Sequence, residues 1–109
     1  ATQGSILDIV LDIRKSSKTY LKSLCVELSK ENFNSIYIPK GFAHGFLTLE
    51  EDCEVMYKTS NFYKEDSEIS LSCFDHQLRI DLPVNKEKIT LSEKDISSFS
   101  LKEIEKDFI

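Results

Sequence analysis

Apolar and polar positions alternate most clearly near the front of the chain. In Ile6-Leu7-Asp8-Ile9-Val10-Leu11-Asp12-Ile13, one strand face carries Leu7, Ile9, Leu11 and Ile13. The other carries Ile6, Asp8, Val10 and Asp12, since successive side chains of a strand point to opposite sides. The first face is wholly apolar and is expected to pack. The second holds two carboxylates and is expected to meet either solvent or a polar cavity. A second strand is predicted over 22–28, closed by the polar break Ser29-Lys30-Glu31-Asn32. Residues 35–38 are β-prone and end at Pro39-Lys40-Gly41, a turn signal. Further strands are predicted over 43–49 and over 52–59, where Cys53, Val55, Tyr57 and Thr59 share a face. Weaker strand patterns cover 69–73 and 77–80. Short strands at this spacing point to an all-β sandwich or barrel. Only the C-terminus reads as helix. Ser100-Leu101-Lys102-Glu103 has the capping-box pattern, with Phe99 and Ile104 spaced as a hydrophobic staple. Leu101, Ile104 and Phe108 then share a helical face, on a helix too short to stand alone.

Composition bounds the functional classes. The 109 residues suffice for one domain, and the expectation is a single domain over 1–109. The net charge of −5 argues against nucleic acid or an anionic membrane as partner, because either favours a basic face. No apolar run reaches transmembrane length, and the first residues do not read as a signal peptide. Cys25, Cys53 and Cys73 are an odd number with no Cys-x-x-Cys pair, which points to buried thiols in a reducing cytoplasm.

The richest segment is Ile38-Pro39-Lys40-Gly41-Phe42-Ala43-His44-Gly45-Phe46. A proline–glycine turn delivers His44 to the start of a strand, where it is either a polar core residue or aimed into a cavity. This segment resembles the second cupin motif of the dTDP-4-dehydrorhamnose 3,5-epimerases. Other stretches match that family in order. Asp8-Ile9-Val10-Leu11-Asp12-Ile13-Arg14 is similar to its DVAVDLR strand, and Ser17-Lys18-Thr19-Tyr20 to its SPTF turn. Leu28-Ser29-Lys30-Glu31-Asn32 resembles its LSxEN turn. Met56-Tyr57-Lys58 and Asn61-Phe62-Tyr63 resemble its xYK and NxY segments, and Leu91-Ser92-Glu93-Lys94-Asp95 its LSxKD motif.

The resemblance implies a cupin-type jelly-roll barrel, incomplete at its N-terminus, with a short C-terminal helix. It implies inversion of C3 and C5 of dTDP-4-keto-6-deoxy-D-glucose through an enolate, in rhamnose biosynthesis. That chemistry needs a base on one face of the sugar, an acid on the other and donors for the enolate oxygen. No metal or organic cofactor is implied. The resemblance makes Tyr57 the acid and Asp95 the aspartate of a His–Asp dyad. It places Phe62 on the thymine, Tyr63 by the sugar or diphosphate, and Asp8 and His44 in the pocket wall. Read without the family, Asp95 is a surface carboxylate near a helix start, Tyr57 a packing residue, and Phe62 and Tyr63 an aromatic cluster. On the family reading Asp8, His44, Tyr57, Tyr63 and Asp95 are expected to line one cavity.

The family's RGLHxQ and QGKL motifs, which hold the histidine base and a lysine, do not occur in these residues. His76, in Phe74-Asp75-His76-Gln77, stands in the wrong context for that base. The chain therefore resembles the C-terminal part of the family, and on its own is expected to be inactive. Other readings are a non-catalytic truncated cupin that binds a nucleotide sugar, and a related 3-epimerase or ketoisomerase. A metal-dependent cupin is the weakest, because only His44 is placed as a ligand. A homodimer is expected, since an unfinished sheet leaves an open edge.

Overall fold

Ser5–Asp12 forms β1, Ser23–Ser29 forms β2 and Phe42–Thr48 forms β3 in the computed structural model, which describes residues 1–109. The three strands make one antiparallel sheet in the order β2-β1-β3. The central strand is the one with the strongest apolar alternation. It is covered on both faces: Ile6, Val10, Ile9 and Leu11 are all buried. The register sets Val10 opposite Leu24 on one side and His44 on the other, with Asp8 opposite Val26 and Phe46. Directly paired residues share a face, so His44, Asp8 and Asp12 lie on the same side of the sheet.

The carboxylate face departs from the solvent-facing alternative. Asp8 and Asp12 are each only 2% exposed. Burying a carboxyl group is costly unless it is hydrogen-bonded, and each has partners, as described below.

The break after β2 is a side-chain turn. Asn32 accepts from the Ser29 and Asn34 amides at 3.1 and 2.9 Å and donates to the Glu27 carbonyl at 3.0 Å. Residues 35–38 then run without strand pairing, and so do 52–59 apart from one bridge between Gln3 and Glu54. Residue propensity made 35–38 look like a strand, and alternation did so for 52–59. A strand also needs a neighbour's N–H and C=O groups; 35–38 has none alongside, and 52–59 has them only at Glu54.

The chain packs as two compact units, Ala1–Phe62 with the sheet and Tyr63–Ile109. The second is built from turns and short helices. The strands expected over 69–73 and 77–80 reduce to a single parallel bridge, Leu71 to Phe99, in which Ser72 N–H donates to the Phe99 carbonyl at 2.8 Å. Two short helices follow, α1 over Glu93–Ile96 and α2 over Leu101–Ile104. The first carries Asp95, which the reading without the family placed near a helix start, and the second is where the capping pattern put it. Glu103 reaches back to the Ser100 amide at 2.8 Å and accepts from the Ser100 hydroxyl at 2.6 Å. Asp75 adds a second tie, accepting from the Leu101 amide at 2.8 Å and the Gln77 amide at 2.9 Å. These amide donors, Leu101 first, hold the Asp75 carboxyl below its ordinary range. Leu78, Leu101 and Ile104 are the buried apolar residues of this unit. No helix is long and apolar enough to cross a membrane.

Candidate functional site

The turn at Pro39-Lys40-Gly41 feeds β3, and His44 stands on the sheet face shared with Asp8. Its Nε2 lies 2.7 Å from Asp8 Oδ1. The imidazole is 39% exposed while the Asp8 side chain is 3% exposed, so the pair presents a ring to the outside and keeps its acid inside. The second carboxylate oxygen, Oδ2, is buried with no hydrogen-bond donor in the protein. A buried acceptor left unpaired costs about 1–3 kcal/mol, a cost that a donor on a bound molecule would remove.

Asp12, at the end of the same face, is the opposite case. Its Oδ1 accepts from the Arg14 amide at 3.0 Å and from Arg14 Nε at 2.9 Å. Its Oδ2 accepts from Arg14 Nη2 at 2.8 Å and from the Ser17 and Thr19 hydroxyls, both at 2.6 Å. The Arg14 guanidinium first, then the two hydroxyls, hold this carboxyl well below the usual range against the effect of burial.

Tyr57 and Phe62, in the first unit, are 76% and 97% exposed, and the Tyr57 hydroxyl has no hydrogen-bond partner. Tyr57 is therefore not the packing residue its strand pattern also allowed.

In the second unit, Tyr63 donates its phenol proton to Glu68, and Lys94 Nζ sits 2.7 Å from the same Glu68 oxygen and 3.3 Å from the phenol oxygen. The ammonium also lies 5.5 Å from the Tyr63 ring centroid. The Glu68 carboxylate pushes the Tyr63 phenol up from its ordinary value, with Lys94 pulling the other way. Glu68 in turn holds Lys94 above the ordinary lysine range. Neither Glu68 nor Lys94 was singled out from the sequence. The position of Lys94, directly before Asp95 in the Leu91–Asp95 motif, was the available signal. Asp95 is exposed on α1, where its amide donates to Ser92 Oγ at 3.3 Å and its carboxylate accepts from that hydroxyl at 2.9 Å.

An open depression of about 400 Å³ lies in the second unit, lined by Cys73, Phe74, Asp75, Arg79 and Lys86 among others. None of the six residues singled out from the sequence lines it. No group of three or more His, Cys, Asp or Glu side chains is placed to hold a metal ion.

Comparison with known proteins decides the family. The family model described as dTDP-4-dehydrorhamnose 3,5-epimerase matches residues 1–103. The chain belongs to the dTDP-4-dehydrorhamnose 3,5-epimerase family. The Escherichia coli K12 dTDP-4-dehydrorhamnose 3,5-epimerase is 41% identical over 103 residues, 94% of this chain and 55% of that protein. A Legionella pneumophila dTDP-6-deoxy-D-glucose-3,5-epimerase, solved in complex with dTDP-4-keto-L-rhamnose, is 33% identical. It superposes with a TM-score of 0.81 over 96% of this chain and 55% of its own. ChmJ, a 3'-monoepimerase from Streptomyces bikiniensis solved with dTDP-quinovose, is 28% identical. Its TM-score is 0.88 over 96% of this chain and 52% of its own. The fold is thus the cupin-type jelly roll of these epimerases, and the chain spans about half the length of the relatives it matches.

Proposed function

We propose that this chain serves the epimerisation of dTDP-4-keto-6-deoxy-D-glucose at C3 and C5, in the route to dTDP-L-rhamnose. The observation that carries the reading is the Asp8–His44 pair. A buried carboxylate with an unpaired oxygen, behind a half-exposed imidazole, is a ready receptor for a sugar hydroxyl or keto oxygen. Tyr57 acts as the acid: its phenol is exposed and committed to no protein group. Asp95 serves as the aspartate that orients the histidine base. Phe62 offers a fully exposed ring face for the thymine. Tyr63 reaches the sugar or diphosphate, and the Lys94 ammonium beside it supplies a cation for the diphosphate. The base itself belongs to an RGLHxQ segment, which these residues do not contain. The reading includes a homodimer, a cytoplasmic location and chemistry without a metal or organic cofactor.

Two measurements test it. The 109-residue chain should bind dTDP weakly, and Phe62→Ala should weaken that binding on the order of tenfold, since a base stacked on an aromatic ring is worth about 1–3 kcal/mol. Binding that is absent, or indifferent to both Phe62→Ala and His44→Ala, would sink the assignment. In D2O this chain alone should exchange no C3 or C5 proton of the keto-sugar. A polypeptide that also carries RGLHxQ should exchange both, about 100-fold or more slowly with Tyr57→Phe. Deuterium entering C3 alone would instead support the second reading, a 3-epimerase, which the likeness to ChmJ favours.

A further inference from the structure

We infer that Arg14 is a positioning residue for His44, pinning the start of β3 to the end of β1 so that the imidazole meets Asp8. The functional meaning of this rests on the reading of His44 given above; the geometry does not. Arg14 grips Asp12, the last residue of β1, with a two-nitrogen fork, Nε on one carboxylate oxygen and Nη2 on the other. The same side chain lies across the residues that open β3. A Cβ on Gly41 would come within 2.6 Å of Arg14 Cγ and 2.8 Å of Cδ. The guanidinium carbon stands 4.5 Å from the centroid of the Phe42 ring. One backbone bond runs parallel to this clamp, from Ile13 N–H to the Gly41 carbonyl at 3.1 Å. A single side chain therefore bridges residue 12 and residues 41–42, and Asp12 faces Phe42 in the register.

His44 follows Phe42 by two residues, on the same face. A slip of β3 by one residue would carry the imidazole to the other side of the sheet and part it from Asp8. Gly45 leaves that stretch of β3 without a side chain to help: a Cβ there would meet nothing within 4 Å. The register at this end of β3 thus depends on the residues beneath Arg14. Gly41, with φ of +91°, both makes the turn and leaves room for the arginine stem.

The test is an imidazole nitrogen–proton correlation spectrum of the 109-residue chain without any ligand. Asp8→Asn defines the signature of a His44 ring that has lost its partner, and the exposed His76 serves as internal reference. Arg14→Gln should move the His44 signals most of the way to those of Asp8→Asn, while the amide signals of Ile6 and Ile9 stay in place. Arg14→Lys, which keeps the stem and the charge, should recover part of the shift. A folded Arg14→Gln chain with unchanged His44 signals would overturn the inference. Should Arg14→Gln not fold, Phe42→Leu removes only the ring under the guanidinium, and unchanged His44 signals there would overturn it equally. Because no nucleotide is present, failure of dTDP to bind would count against the proposed function and leave this result standing.

Discussion

Asp12 and Asp8 stand four residues apart on one strand face, equally buried and oppositely satisfied. Asp12 is saturated by Arg14, Ser17 and Thr19, and its folded pKa lies below the unfolded value of about 3.9. Its stabilising effect is therefore complete above roughly pH 5 and is lost as pH falls through the folded value. Asp12→Asn should be less stable than the natural chain in urea at pH 7, and the gap should narrow steadily between about pH 5 and pH 2. A gap that stays constant with pH would show that the effect is steric rather than ionic. The sequence made both aspartates conspicuous, as polar residues in an apolar strand, and left two destinations open. What separates them is tertiary. Arg14 can be read beside Asp12, but its reach to Gly41 and Phe42, far along the chain, cannot. His44 was conspicuous from its turn and Asp8 from its strand; that the two meet was not legible, since 36 positions separate them.

Among the elements, the three strands with a neighbour were readable from alternation to within one residue at each end. Residues 52–59 alternate just as well and pair through one bridge only. Hydrophobic pattern reports which side chains share a face, and says nothing about whether another backbone lies within hydrogen-bonding reach. The short helices behave in the reverse way, being specified locally. α2 is legible because its capping residues lie close together in the sequence, and α1 is capped just as locally, by the Ser92 hydroxyl on the Asp95 amide. Ser100→Ala removes the hydroxyl that donates to Glu103 and should cost about 0.5–2 kcal/mol in a denaturant melt of the second unit. The Glu103 carboxyl, held below its ordinary value by the Ser100 hydroxyl and amide, should rise toward the usual glutamate range in that variant. A Glu103 titration identical in both chains would refute the local account.

For the whole molecule, 19 acidic against 14 basic side chains keep like copies apart at long range, while large apolar groups remain uncovered at short range. Leu24 on β2 and Phe46 on β3 are 58% and 46% exposed, and both strands are sheet edges. Sedimentation should give a multiple of the chain mass, with association strengthened by salt, which screens the net charge. Phe46→Lys should weaken it. A monomer at high concentration and high salt would dismiss the homodimer. The sheet order has one more consequence, which concerns time. β1 donates and accepts on both flanks, whereas β2 and β3 each have one flank without strand partners. Solvent deuterium should therefore enter the outward amides of β2 and β3 through fraying. It should reach each β1 amide only when the ladder that amide bonds to opens, making the strand that carries Asp8 the slowest clock in its unit.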